Sequence, residues 1–317
     1  MFVGIDIGGT NIKGALVNKS GKLLGFQKTE TPASSEEIDK TIYSIIENLA
    51  TSATVSKIDI SAICIGAAGS IDRVKGVVIT SPNIPSWKEY PLTKNIEKIT
   101  GTKTFLENDA TVACAGAWWQ GKGTRYRNWI MVTLGTGIGG AAVIDNKIYT
   151  GQNGSSMEIG HMTIEFNGRK CVCGNQGCLE QYASATALVG FIRENINKFP
   201  ESSIHEIIKR EPLTAKIIYE EAIKKDPLAV NAIKDISGYL GIGVANLVNI
   251  FNPEAILFGG GLSQAGKIII PIVKKTVKQR ALPGLKENIK YLTLKDQSKI
   301  AAMGAAKLAI DRYNEAK

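Results

Sequence analysis

The sequence predicts an α/β protein of two related halves, on three observations. A strand–glycine turn–strand–turn–strand unit opens the chain, the same unit starts again at Trp129, and helical periodicity dominates after residue 184. At about 100–200 residues per domain, a chain of 317 residues suits two domains, and the repeat places a cleft between them. A content of 44% hydrophobic and 21% charged residues is that of a globular chain able to bury a core.

Residues 2–7 are apolar but for Asp6 and read as a buried strand, with Gly8-Gly9-Thr10 as the turn after it. Residues 12–17 read as the second strand, Ser20-Gly21-Lys22 as a turn and residues 23–29 as the third strand. Ser34 and Glu37 have the spacing of a capping box, and Ile38, Ile42, Ile45, Ile46 and Leu49 follow at helical intervals. Residues 58–65 read as another apolar strand. A short strand at 104–106 leads into Glu107-Asn108-Asp109 and an alanine-rich helix. In the second half, residues 129–134, 141–144 and 148–149 repeat the opening pattern. A strand at 255–258 runs into Gly259-Gly260-Gly261, and residues 299–310 form a small-residue helix able to pack closely.

The net charge of +9 raises the question of a nucleic-acid partner. The lysines are scattered, with no basic block and no aromatic–basic ladder, so the charge reads as a solvated surface that also favours an anionic small molecule. No apolar run reaches the 18 or so residues of a membrane span. The opening Met1-Phe2-Val3-Gly4-Ile5-Asp6 has neither the basic start nor the cleavage site of a signal peptide. The expectation is a cytoplasmic protein with no membrane or nucleic-acid partner.

Glycines in Gly8-Gly9-Thr10 let backbone N–H groups approach an anion closely, and Asp6 beside them suits Mg²⁺; a plain tight hairpin is the other reading. Gly135-Thr136-Gly137-Ile138-Gly139-Gly140 matches the dinucleotide fingerprint in letters only. That fingerprint needs a helix to start in the glycines, whereas Ala141 onward continues as a strand, so a second hairpin is expected. The chain has no P-loop signature. Gly259, Gly260 and Gly261 after a strand offer a place for a nucleoside to lie against backbone.

Cys64 and Cys114 stand alone in apolar segments and read as buried small hydrophobes, whereas Cys171, Cys173 and Cys178 cluster. With His161 upstream they complete a four-ligand tetrahedral set, the closed shell of a structural zinc. Carboxylates and amides near this loop, at Glu158 and Glu180, and in Glu107-Asn108-Asp109, have the chemistry to bind a ring of hydroxyls. Singly, each reads equally well as a helix cap or a surface charge.

Taken together, Asp6-Ile7-Gly8-Gly9-Thr10, Glu107-Asn108-Asp109, Gly135-Thr136-Gly137-Ile138-Gly139-Gly140, Glu158-Ile159-Gly160-His161 and Cys171-Val172-Cys173-Gly174-Asn175-Gln176-Gly177-Cys178-Leu179-Glu180 resemble the ROK family of sugar kinases and sugar-responsive repressors. The resemblance runs along the whole chain, and the cysteine motif is specific to that family. It implies an actin/hexokinase-like (ribonuclease H-like) fold. Two α/β domains would flank a cleft: a small one from 1–107 plus 300–317, and a large one from 108–299 carrying the zinc loop. It further implies an ATP-dependent kinase acting on a hexose, with glucose as the leading substrate and N-acetylmannosamine, N-acetylglucosamine, fructose and mannose as alternatives, and a homodimer.

Carried over by position, Asp109 would be the catalytic base, and Asn108, Glu158, His161 and Glu180 would hold sugar hydroxyls. His161 would also join Cys171, Cys173 and Cys178 on zinc. Gly8, Gly9, Thr10, Lys13, Gly135, Thr136 and Gly137 would face the ATP phosphates, Asp6 the Mg²⁺, and Gly259 to Gly261 the adenosine. The chain departs from the family at Ala68, where a proline is usual, at Ala117, usually glutamate, and at Ser156-Met157, usually Ala-Gly. The last departure bears on the sugar pocket, as does the segment from Thr80 to Trp87. A sugar-sensing repressor of the same family is the competing reading; such relatives carry a helix-turn-helix before the first strand, where this sequence has only Met1.

Overall fold

The computed structural model describes residues 1–81, 83–121, 123, 125–152, 154–294 and 299–316, so Pro82 and Lys317 lie outside the described residues. The strands are β1 (Phe2–Ile7), β2 (Asn11–Val17), β3 (Leu23–Glu30), β4 (Ala62–Ala67), β5 (Ser70–Asp72), β6 (Val77–Thr80), β7 (Lys88–Tyr90), β8 (Thr104–Asn108), β9 (Trp129–Leu134), β10 (Ile138–Ile144), β11 (Lys147–Tyr149), β12 (Ala255–Gly259) and β13 (Lys290–Thr293). The helices are α1 (Ser35–Ser52), α2 (Leu92–Thr100), α3 (Asp109–Trp119), α4 (Glu180–Ala183), α5 (Ala185–Asn195), α6 (Ile204–Ile207), α7 (Ala215–Ile223), α8 (Pro227–Phe251), α9 (Gly266–Arg280) and α10 (Ile300–Glu315). By compactness the chain divides into two units, Met1–Arg127 with Ala141–Met157 and Asp296–Lys317, and Asn128–Gly140 with Glu158–Lys295. This division sets 108–127 and 141–157 with the first unit, where the sequence reading drew its border after residue 107.

The repeat seen in the sequence is a repeat of topology. One five-stranded sheet has the order β3-β2-β1-β4-β8 and the other the order β11-β10-β9-β12-β13. In each, a glycine hairpin joins the first two strands and parallel strands extend the far side: β4 and β8 in the first, β12 and β13 in the second. As expected, no helix begins in Gly135 to Gly140; β10 runs on from Ile138.

In the first unit α1 covers one sheet face. Ser34 caps it by accepting from the Glu37 N–H, and Ile38, Ile42, Ile45, Ile46 and Leu49 bury against Val3, Ile5, Ile63, Ile65 and Leu106. The other face is covered by α10, whose Ala302, Ala305, Ala306 and Ala309 pack on Phe2, Ala15, Val17, Ala62 and Cys64. Small residues allow near backbone contact here: a Cβ on Gly4 would lie 2.0 Å from the Ala302 carbonyl oxygen, and one on Gly304 would lie 1.8 Å from that of Val112. The small-residue helix therefore locks β1 and α3 together. Both lone cysteines are buried, and burial pushes the Cys64 thiol up to about 12.

Three elements differ from the sequence reading. The strand read at 58–65 starts only at Ala62, because Lys57–Asp59 form a 3-10 turn that leaves Ile58 91% exposed. The small sheet β5-β6-β7, which includes Thr80 of the segment running to Trp87, and strand β13 have no counterpart in that reading. At three or four residues each, they are too short to show a period. No helix among the described residues is long and apolar enough to cross a membrane.

Candidate active site

The first glycine turn joins β1 to β2. Thr31 ties back its carbonyls, its Oγ1 donating to Gly8 O at 2.7 Å and its N–H to Thr10 O at 3.0 Å. The Gly8 N–H closes the turn on Asn11 O at 3.0 Å, while among the described residues no acceptor takes the Gly9 or Thr10 N–H. Cross-strand register sets Asp6 opposite Lys13, and Lys13 Nζ lies 3.1 Å from Asp6 Oδ2. Asp6 is 7% exposed; burial raises its carboxyl pKa, and Lys13 opposes the rise.

The second turn is built the same way. Ala185 N donates to Gly135 O at 2.9 Å, Thr186 Oγ1 to Thr136 O at 2.8 Å, and Gly135 N to Gly137 O at 3.0 Å. No acceptor among the described residues takes the Thr136 or Gly137 N–H. A turn whose carbonyls are occupied and whose N–H groups are not is a cradle for an anion. Gly260 lies against this turn's entry: it has φ +82°, and a Cβ there would sit 2.3 Å from Leu134 O. Beside Thr136 opens a recess of about 400 Å³ lined by Thr186, Val189, Arg193 and Ala215, within the size range of small-ligand sites. Sequence reasoning missed these residues; Gly259 to Gly261 do not line the recess.

In the first unit, strand β8 ends at Asn108, the N-cap of α3. Its side-chain oxygen accepts from Ala110 N at 2.8 Å and Thr111 N at 3.3 Å, which commits the oxygen and leaves the amide's NH₂ as the outward donor. Asp109 stands in the first turn, half-buried, with Oδ1 accepting from Ala110 N at 2.9 Å. The cap thus fixes both side chains at once.

Glu107, one residue earlier, points the other way into the protein. It is 1% exposed, and its Oε1 pairs with Arg73 Nη1 at 3.2 Å and with Arg312 of α10. Nothing in the sequence linked these three distant residues. Glu107→Ala is expected to cost about 2–4 kcal/mol in denaturant unfolding, below the figure for a fully buried pair because both arginines keep some solvent contact.

In the second unit, His161, Cys171, Cys173 and Cys178 bring one ligand atom each within 4.8 Å of the others. Cys171 Sγ is 3.7 Å from His161 Nδ1, and Cys173 Sγ is 3.7 Å from Cys178 Sγ. A tetrahedral zinc with bonds of about 2.0–2.3 Å needs ligand separations close to these, so the four residues fit that ion. Burial and the neighbouring sulfurs push the Cys178 thiol up to about 12, a cost a divalent cation would relieve. The loop's tightest turn is at Gly177, with φ +74°, where a Cβ would lie 1.7 Å from Glu165 O.

Glu158, His161 and Glu180 gather around this loop. Burial raises the Glu158 carboxyl pKa, His161 lowers it, and the Glu180 charge raises it again, so the three groups share one electrostatic neighbourhood. Glu180 Oε2 accepts from Ile138 N at 2.8 Å. Met157, just before Glu158, holds φ +63°, a left-handed conformation a methionine adopts at a cost and a glycine freely. Met157→Gly is expected to stabilise the chain by about 1 kcal/mol in urea unfolding.

Two sheets of one strand order, each opened by a glycine hairpin, with a Cys₃His loop on the second, define the actin/hexokinase-like class of two-domain α/β proteins. The chain belongs to the ROK family, whose sequence profile matches residues 2–312. It is 34% identical to a glucokinase from Thermotoga maritima, over 98% of each chain. A solved ROK family glucokinase from Streptomyces griseus, in complex with glucose and AMPPNP, superposes with a TM-score of 0.84 at 33% identity, over 98% of this chain and 99% of that one. A xylose repressor from Bacillus subtilis is 31% identical over 98% of this chain and 77% of its own length.

Proposed function

We propose that this chain transfers the γ-phosphoryl group of ATP to the 6-hydroxyl of glucose. The observation that carries the reading is the common construction of the two glycine turns, carbonyls tied back and N–H groups without a protein acceptor, in a chain that also presents Asp109 from a capped helix start. Likeness over nearly full length to glucokinases, one of them solved with glucose and AMPPNP, supports the substrates.

In this reading the N–H groups of Gly9, Thr10, Thr136 and Gly137 hold the phosphates, with Gly8 and Gly135 shaping the turns. Asp6 and Lys13 sit on the metal and phosphate side, and Mg²⁺ when bound would neutralise phosphate charge. The adenosine lies by Gly259 to Gly261 and the recess lined by Thr186 and Arg193. Asn108 donates to one sugar oxygen, while Glu158, Glu180 and the Nε2 of His161 take others, the Nδ1 of His161 being turned to the cysteine cluster. Asp109 accepts the proton of the attacking hydroxyl as its oxygen bonds to the γ-phosphorus and ADP leaves. Zinc held by His161, Cys171, Cys173 and Cys178 would fix the imidazole's orientation.

ADP release from Mg·ATP, measured against glucose, mannose, fructose, N-acetylglucosamine and N-acetylmannosamine, tests this reading. Turnover fastest on glucose is the expected result, and silence on every sugar would shift the reading to a sugar-sensing repressor, which the Bacillus subtilis likeness supports. A cytoplasmic homodimer is the expected form, and light scattering in solution checks the assembly.

A further inference from the structure

Ile138, the residue that closes the second glycine turn, is clasped from both sides by the zinc-bearing segments. Its N–H is held by Glu180 Oε2 at 2.8 Å, and Glu180 follows Cys178 by two residues. The same oxygen lies 2.1 Å from where a Cβ on Gly137 would stand, so the carboxylate is pressed against the turn itself. Ile138 O, in turn, would be 2.2 Å from a Cβ on Gly160, the neighbour of His161. Behind these contacts Leu179 packs into α8 at Gly243, where a Cβ would come within 2.4 Å of its Cδ2, so the base of Glu180 is fixed by the core.

We propose that Glu180 is a positioning residue for the nucleotide as well as a sugar ligand. One carboxylate oxygen anchors the Ile138 N–H and thereby sets the phosphate-facing N–H groups of Thr136 and Gly137, while the other oxygen remains for a sugar hydroxyl. The zinc loop is then a brace of the nucleotide site and not of the sugar site alone. The proposal rests on the reading of residues 135–137 as a phosphate turn. A charge-assisted bond of this kind has a cost of loss that corresponds to about a tenfold or greater change in affinity.

The test is calorimetric binding of Mg·AMPPNP with no sugar present, to the wild type and to Glu180→Ala, Glu180→Gln and Thr136→Pro, the last removing the N–H itself, with zinc content and melting temperature recorded for each. Glu180→Ala is expected to weaken AMPPNP binding about tenfold. Glu180→Gln keeps an oxygen acceptor for Ile138 and is expected to stay within about twofold of wild type, although both variants lose glucose affinity. A separation of the two variants in nucleotide affinity, with zinc retained in both, is not what a general packing role produces. AMPPNP affinity unchanged in Glu180→Ala, or lowered equally in both variants, overturns the proposal. If Thr136→Pro weakens AMPPNP with its melting temperature kept while Glu180→Ala does not, the turn still binds phosphate and the positioning role alone fails. If the wild type itself binds no AMPPNP, the phosphate reading and the proposal fall together.

Discussion

Asp109→Ala is expected to lower turnover on glucose by about 10²–10⁴-fold while zinc content and melting temperature stay at wild-type values. The size of the effect is that of losing a general base, the role proposed for this carboxylate in the first turn of α3. Stability is spared because the helix start is secured by Asn108, whose oxygen caps Ala110 and Thr111 whether or not a carboxylate follows. Asp109→Asn sharpens the test by keeping the shape and removing the base. A loss confined to kcat, with KM for glucose nearly unchanged, is the signature of a proton acceptor. Full activity in either variant would mean that another group takes the proton.

Removal of a zinc ligand is expected to have the second largest effect. The wild type should carry about one zinc per chain by elemental analysis, and Cys178→Ala should lose it, melt at a lower temperature and show a raised KM for glucose. Metal binding is worth about 10–16 kcal/mol in small zinc peptides. The cost here should be well below that, because the second unit keeps a buried apolar core of its own, including Leu179, Leu188, Leu228, Val244, Leu257 and Val273. What a zinc ion would add is local: it would tie the His161 segment to the cysteine loop, and with it the orientation of the imidazole. A wild-type protein without zinc, active and stable, would overturn this assignment.

Much of the site is legible in the sequence because its chemistry is locally encoded. Three cysteines within one loop, an acid two residues before a double glycine, and a glycine run that continues as a strand each declare themselves within ten residues. The repeat of the two sheets follows from the same local signals. What escapes is what depends on distant residues meeting. Glu107 finds Arg312 across most of the chain, Glu180 finds Ile138 from another element, and Thr186 and Arg193 meet Thr136 only when α5 packs behind the turn. Short strands fail for a different reason: β5 and β7 have three residues each, fewer than two full alternations. At 58–65 the run of apolar residues is real, but pairing starts later, where Ser61 N donates to Met1 O at 2.8 Å and the chain joins the sheet.

The helix cap at Asn108 has a consequence for how a sugar is read. Because its oxygen is committed to the backbone, its amide can only give hydrogen bonds outward, while the carboxylates of Asp109, Glu158 and Glu180 can only receive them. On the proposed reading, a sugar hydroxyl at Asn108 receives a hydrogen bond and one at a carboxylate gives it, a difference that a fluorine atom can reveal, since fluorine on carbon accepts weakly and never donates. Across a series of deoxyfluoro-glucoses, positions that tolerate fluorine would mark hydroxyls set at the donors of the proposed reading, Asn108 and the Nε2 of His161, and positions that reject it would mark a carboxylate.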